Sequence, residues 1–278
     1  MNGGVARTST DFWPTKPETH GLHVWTNAAV GLWFGEFVLP DWDMFQSGLG
    51  DGWAAFHAAA RAISGGPVYV SDKPGESNFE LLRKLVCPDG RVLRCDGPGR
   101  ICRESLFSDP TKEDVLLKVW NRNGERGIVG LFNCRYGVEG KITGTVSPAD
   151  VAGMDGAEFV IWLHQAGVMR RMAREEKLDV ALGQAGWEIA TVAPIVGGVA
   201  AIGLLDKLNS GGAVMGVKQN GTEAAIQLRD GGLFGAWCER RPLCVEVDGE
   251  KAAFHWDEKL LRVYAAKPGQ CVVKVRWN

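Results

Sequence analysis

Arg7-Thr8-Ser9-Thr10-Asp11-Phe12-Trp13-Pro14 follows two apolar residues, Val5-Ala6, and the reading of the fold turns on that transition. Arg7 and Asp11 are the only charged side chains in the first eleven residues, and they stand beside two large aromatics and a proline that halts a helix. If Val5-Ala6 ends a buried strand, both charges lie at its C-terminal mouth, the face from which active-site groups project in β/α barrels. An Arg and an Asp four residues apart also make a common and weak surface pair, so the stretch needs support. Leu32 to Phe37 runs into Pro40-Asp41-Trp42-Asp43-Met44-Phe45, and Pro67-Val68-Tyr69-Val70 runs into Ser71-Asp72-Lys73-Pro74-Gly75. Three times an apolar run gives way to an Asp-bearing turn and then to a stretch able to be helical. That is the rhythm of β/α units whose loops share one mouth.

Helical spacing is firmest at Trp53, Phe56, Ala60 and Ile63, before Gly65-Gly66; Thr19 to Val30 reads as a helix or an irregular connection, and Ser77 to Val86 as a third helix. From Pro88 the character changes. Pro88-Asp89-Gly90, Asp96-Gly97-Pro98-Gly99 and Ser108-Asp109-Pro110 are turn sequences of a linker. Beyond it, short strand-like runs recur between Gly, Asn and Asp: 115–120, 127–133, 157–163, 187–192, 224–228, 234–237, 243–247, 260–264 and 271–277. Such spacing predicts an antiparallel sandwich. The expected division is 1–108 and 109–278.

A net charge of -2 gives neither a nucleic acid nor an anionic membrane an attractive average field. Arg170-Arg171 and Arg174 are followed at once by Glu175-Glu176 and read as a solvated face. The first residues lack the charged and apolar regions of a secretory signal, and no apolar run reaches the roughly 20 residues of a membrane span. Seven cysteines show no paired or zinc-like spacing and predict reduced, mostly buried thiols of a cytoplasmic protein. His20 and His23 have no third ligand nearby and read as a pair on a helix surface. Gly48-Leu49-Gly50-Asp51-Gly52 lacks the order of a phosphate loop and reads as turn chemistry. No metal and no cofactor is expected.

Four segments carry a resemblance: Arg7 to Pro14, Gly35 to Ser47, His57 to Gly75, and Leu106-Phe107-Ser108-Asp109-Pro110. They closely resemble the raffinose synthase, stachyose synthase and alkaline α-galactosidase (seed imbibition protein) family, relatives of retaining α-galactosidases of the glycoside hydrolase family 36 type. Similarity continues through Ile202-Gly203-Leu204-Leu205-Asp206, Asn209 to Val214 and Gly232-Leu233-Phe234-Gly235. The resemblance implies the C-terminal part of a (β/α)8 TIM barrel followed by an antiparallel β-sandwich.

Retaining glycosidases place two carboxyl groups roughly 5 Å apart, one a nucleophile and one an acid/base. By resemblance the acid/base is the Asp four residues after a strand-end Arg, here Asp11 after Arg7. Members often carry Asp-Asp there, whereas this chain has Thr10-Asp11. Phe12 and Trp13 are candidates for an apolar wall that keeps Asp11 protonated. Arg7 is expected to donate to galactose hydroxyls, with a structural Arg7–Asp11 ion pair as the alternative. Asp43 and Met44 resemble the Asp-x-Asp-Met residues that line the galactose pocket; Asp43 capping the backbone is the plainer reading. Asp72 and Lys73 either touch sugar or pair with each other. Among the eleven tryptophans, Trp13, Trp25, Trp33, Trp42 and Trp53 fall early, some able to stack on sugar and most expected in the core.

The family's nucleophile, an Asp in a Lys-x-Asp strand end, precedes the acid/base strand, and only six residues precede Arg7. Lys177-Leu178-Asp179-Val180 has the letters but the wrong place. Three units cannot close a barrel, so the expectation is a fragment, or a chain completed by another polypeptide such as the missing N-terminal barrel portion, that is inactive alone. The substrate expected is a galactoside or oligosaccharide, for transfer or hydrolysis. The alternative is a non-catalytic carbohydrate-binding or partner-dependent module.

Overall fold

The computed structural model describes residues 4–277. Strand β1 (Val5–Arg7) leads to helix α1 (His20–Phe34), strand β2 (Leu39–Asp41) to helix α2 (Trp53–Ser64), and an extended segment around Val70 to the short helix α3 (Phe79–Leu82). β1 and β2 pair in parallel, with Arg7 opposite Asp41, and Phe45 bridges in parallel to Val70. The turns after Arg7, Asp41 and Val70 therefore leave from the same end of the strands.

Two local expectations are corrected. Leu32 to Phe37 is not a strand: Leu32, Trp33 and Phe34 form the last turn of α1, closed by the Gly35 N–H on the Gly31 carbonyl. The cause is that α1 contains no charged residue, so it has no polar face to mark where its period stops. β1 is not buried either. Val5 is 58% exposed, because among the described residues only β2 flanks the strand.

α2 obeys its spacing. Phe56, Ala60 and Ile63 pack on Leu117, Val119, Ile128 and Phe132. The helix closes on Gly65 at φ +74, where a Cβ would fall 1.8 Å from the Gly97 carbonyl oxygen, so a side chain is excluded there. Those partners belong to a six-stranded sheet in the order Arg100–Ile101, Leu117–Asn123, Arg126–Phe132, Trp187–Pro194, Glu158–Leu163, Val168–Ala173. Alternate residues Val129, Leu131, Ala190 and Val192 face the other way, into a core shared with Ile142 and Val180 of the hairpin-like pair Ile142–Val146 and Leu178–Leu182. With both faces covered, every residue of Arg126–Phe132 is buried.

Two more antiparallel sheets follow. One has the order Val199–Leu204, Gly232–Cys238, Leu260–Ala265, Phe254–Asp257; the other Val214–Gln219, Glu223–Leu228, Cys271–Arg276, Cys244–Val247, Glu250–Lys251. They share one apolar core, with Phe234 and Val263 from the first and Ile226 and Val273 from the second. All nine strand runs read from the sequence are present, and Arg100–Ile101, inside the expected linker, already pairs with Leu117–Asn123. The seven cysteines are free thiols, six of them buried. Among the described residues no helix is long and apolar enough to cross a membrane.

Candidate active site

Arg7 ends β1 and its guanidinium joins two loops. Nη1 lies 2.7 Å from Asp11 Oδ1 and 3.5 Å from Asp43 Oδ2. The three side chains differ sharply in exposure: 43% for Arg7, 63% for Asp11 and 3% for Asp43. Asp43 Oδ2 also accepts the Phe12 N–H at 2.9 Å, and Oδ1 accepts the Met44 N–H at 2.9 Å. One carboxylate thus ties the loop after β1 to the loop after β2.

Asp43 does this from a left-handed backbone, φ +65, a conformation that a short polar side chain tolerates best. Asp41 helps hold it there, its Oδ1 accepting the Asp43 N–H at 2.9 Å while Oδ2 accepts the Tyr69 hydroxyl at 2.8 Å. Burial, the hydrogen bond to Asp41 and the neighbouring carboxylates push the Tyr69 phenol well up, so it remains a donor.

Beneath this layer lies a buried polar chain. Arg61 of α2 donates to the Asp43 carbonyl (3.3 Å), the Met44 carbonyl (2.9 Å) and His57 Nδ1 (2.7 Å). His57 Nε2 lies 2.8 Å from His20 Nδ1. Because a guanidinium cannot accept, His57 is neutral with its proton on Nε2, which it donates to His20. His23 Nε2 meets the Trp42 carbonyl at 3.3 Å. His20 and His23 are therefore not a surface pair, as the sequence suggested, but buried side chains of α1, 1% and 6% exposed. Burial, and then the Arg61 charge, lowers both to about 4 and His57 well below its usual value.

The remaining predicted residues divide. Trp13 stays 47% exposed with Lys16 Nζ 4.3 Å from its ring centre. Phe12 does not wall the mouth, since it is buried against His20, His23 and His57. Arg7 points at Asp11, the ion-pair alternative, and Asp43 caps backbone amides, the plainer of its two readings. Asp72 and Lys73 do not pair with each other: Asp72 accepts from the Ser47 N–H (2.7 Å) and hydroxyl (2.5 Å), and Lys73 reaches Glu76 at 3.9 Å. Neither is part of the Arg7 cluster: Ser47, which also accepts the Asn78 N–H, draws Asp72 into its own loop. Leu178 and Asp179 of the Lys-x-Asp match belong to a strand paired with Ile142–Val146.

Elsewhere Cys87, Asp89 and Asp230 come together from separate segments. Asp230 is fully buried, and its oxygens already accept the amides of Asp89, Gly231 and Gly269 at 3.1, 2.7 and 2.6 Å. That is the chemistry of a turn anchor rather than of a metal ligand.

The profile of the family described as raffinose synthase or seed imbibition protein Sip1 matches residues 2–265. The chain belongs to this family. It is 38% identical over 284 residues to a probable galactinol–sucrose galactosyltransferase of Arabidopsis thaliana, covering 91% of this chain, and 36% identical over 298 residues to a galactinol–sucrose galactosyltransferase of Oryza sativa subsp. japonica, covering 93%. The chain spans 38% of the length of each of these relatives. A GH27 β-L-arabinopyranosidase from Geobacillus stearothermophilus superposes with a TM-score of 0.48 at 16% identity, over 70% of this chain and 46% of the other.

For this raffinose synthase family chain the sequence brought forward Arg7, Asp11 and Asp43, which the structure unites. It passed over Asp41, Tyr69, His57 and Arg61. Tyr69 had a legible signal, an aromatic hydroxyl at a predicted strand end. Arg61 had a subtler one, a lone charge within the alanine run Ala58-Ala59-Ala60-Arg61-Ala62.

Proposed function

We propose that this chain supplies the acid/base half of a retaining galactosyl-transfer site, acting on galactinol and an acceptor sugar such as sucrose, or on related galactosides by hydrolysis. The observation that carries the reading is the Arg7–Asp11–Asp43 cluster at the shared end of two parallel strands in a chain of this family. Asp11 protonates the departing oxygen, a carboxylate on the far side of the sugar takes the galactosyl group, and Asp11 then accepts the proton of the attacking acceptor hydroxyl or water. Arg7, Trp13 and Met44 contact the sugar, and Asp43, whose oxygens are held by the Phe12 and Met44 amides, sets the turn that presents Met44. On substrate arrival Arg7 turns its weaker contact, the one at 3.5 Å to Asp43, toward a galactose hydroxyl.

Asp43 is unsuited to be the nucleophile, because both its oxygens already accept backbone amides and its side chain is closed to solvent. The nucleophile in this reading comes from a neighbouring strand of the barrel that pairs with the free edge of β1. Support comes from the 58% exposure of Val5 on that strand and from the rule that parallel strands lie paired and covered. A second reading has its own support: the Asp11 side chain is 63% exposed and its carboxylate is engaged by Arg7 at 2.7 Å. In that reading the chain binds galactosides without turning them over.

The deciding experiment incubates the purified chain with an activated aryl α-galactoside, and with galactinol plus sucrose, alongside a galactose titration. The assays are repeated with the upstream portion of a family member supplied in trans. Turnover only in the mixture supports the shared site. Turnover by the chain alone overturns the external nucleophile, and binding without turnover in either case selects the second reading.

A further inference from the structure

A buried arginine without a carboxylate partner is costly, since a desolvated charge must be repaid by directed hydrogen bonds. Arg61 is 1% exposed, and among the described residues no ion pair reaches it. Burial lowers it to about 10, against the opposing pull of the Asp43 and Asp41 charges. Its donors are divided between one turn and the histidines, with Nη2 also 3.4 Å from His23 Nε2. Nε and Nη2 meet the successive carbonyls of Asp43 and Met44, Nη1 meets His57 Nδ1, and the guanidinium lies 5.6 Å from the centre of the Phe45 ring. The residue between those carbonyls and the mouth is Asp43, held at φ +65.

We propose that Arg61 is the positioning residue of the sugar-facing Asp43–Met44 turn, and that His57 and His20 aim it. The fork of Arg61 fixes two consecutive peptide planes, a task that matches a planar guanidinium and not the point charge of a lysine. With the planes fixed, the Asp43 carboxylate must point toward Phe12 and Arg7. His57, fully buried and accepting from Arg61, is oriented by its own donation to His20. The turn is thus set from below by α2 and α1, while Asp41 and Tyr69 set it from the side. The role of this turn in sugar contact rests on the function proposed above; the positioning itself does not.

The experiment separates those two layers. In the 278-residue chain, Arg61→Lys, Arg61→Met and His57→Gln are compared with wild type by amide NMR shifts and hydrogen exchange at Phe12 and Met44, whose N–H groups report the two Asp43 oxygens. Galactose titration is run on the same samples, and urea unfolding records global stability. The expected result is loss of protection at Phe12 and Met44 in Arg61→Lys, with galactose binding weakened about tenfold or more, a smaller loss in His57→Gln, and the largest in Arg61→Met. If Arg61→Met does not fold, Arg61→Lys and His57→Gln decide. Unchanged Phe12 and Met44 amides in a folded Arg61→Lys chain overturn the proposal whatever the binding. Altered amides with no galactose binding even in wild type uphold the positioning and overturn the sugar reading.

Discussion

Among the places where one cation of this chain stands between two carboxylates, Lys118 and Arg7 behave as opposites. Lys118 Nζ lies 2.8 Å from Glu104 and 2.7 Å from Asp150, and the lysine is 4% exposed. Arg7 bridges Asp11 and Asp43 while remaining 43% exposed. In the first cluster the cation is entombed: burial would lower the Lys118 amine, yet the hydrogen bonds to Asp150 and Glu104 outweigh it and the amine is raised. In the second the cation is reachable, one of its contacts is long, and one carboxylate faces water. The same charges make a clamp where water is excluded and a loosely held, solvent-screened pair where it is not.

The comparison breaks most visibly at Lys118. Lys118→Met leaves the half-buried Asp150 without its cation, and a loss of about 3 kcal/mol of stability is expected in urea unfolding. Adding Asp150→Asn recovers part of that loss. An undiminished midpoint in the single variant makes the two clusters equivalent after all.

Acid sharpens the contrast by a smaller amount. His20 and His23 titrate near 4 in the fold, below the 6.5 of an unfolded histidine. The unfolded chain therefore binds more protons in that interval, so this contribution is complete above pH 6.5 and falls away as the pH drops toward 4, by a few kcal/mol at most. The charged groups facing these rings are Arg61, Glu18, Asp43 and the other histidines of the network. Glu104 behaves differently: the hydrogen bonds from Lys118 and Lys177 hold it below its usual range, and its contribution is lost only as the pH falls below 4.5 through that lowered value. Hydrogen exchange between pH 6.5 and 4.5 is expected to loosen the Asp43 turn before the strand bearing Lys118. The reverse order contradicts the assigned neutral tautomers.

Of this contrast only the Arg7 side could be read from the sequence; the Lys118 cluster, built from residues 14 and 32 positions apart, could not. The spacing of Trp53, Phe56, Ala60 and Ile63 gave α2, and apolar runs punctuated by Gly and Asp located nine strands, because these signals are local. Val168–Ala173 escaped, since Arg170 and Arg171 mask its alternation, Arg171 pairing with Glu158 and lying over the Trp237 ring. Arg7 and Asp11 are four residues apart and were paired on paper. The histidine network was not, since His20 and His57 are 37 residues apart and meet only when α1 and α2 pack. Asn209 and Gly203 were recognised by resemblance alone. They turn out to lock layers together, Asn209 bonding to Asn123 and the Leu93 carbonyl, and Gly203 lying where a Cβ would strike the Ser210 carbonyl oxygen at 1.9 Å.

Arg7→Met tests the exposed cluster in the other direction. An exposed pair contributes roughly 0–1 kcal/mol, so the unfolding midpoint is expected to move little, while galactose binding falls by about tenfold or more as a charge-assisted donor is removed. A large loss of stability with binding retained identifies Arg7 as a second clamp.

The smallest structural effect is expected at Asp11, and there the chemistry has to show. Asp11→Asn keeps the size of the side chain and removes a charge that is 63% exposed, so folding is nearly unaffected. In the shared site proposed above, an amide cannot give up a proton to a departing sugar oxygen. Turnover of galactinol, whose leaving group needs that proton, is expected to drop by about a hundredfold or more. An activated aryl α-galactoside leaves without protonation, so its first step is spared and the glycosyl-enzyme accumulates, seen as a burst of the aryl product followed by a slow phase. Added azide, which attacks without needing a general base, restores the second step. Equal losses on both substrates, with no burst and no rescue, reduce Asp11 to the outer partner of Arg7 and leave the acid/base to another carboxylate.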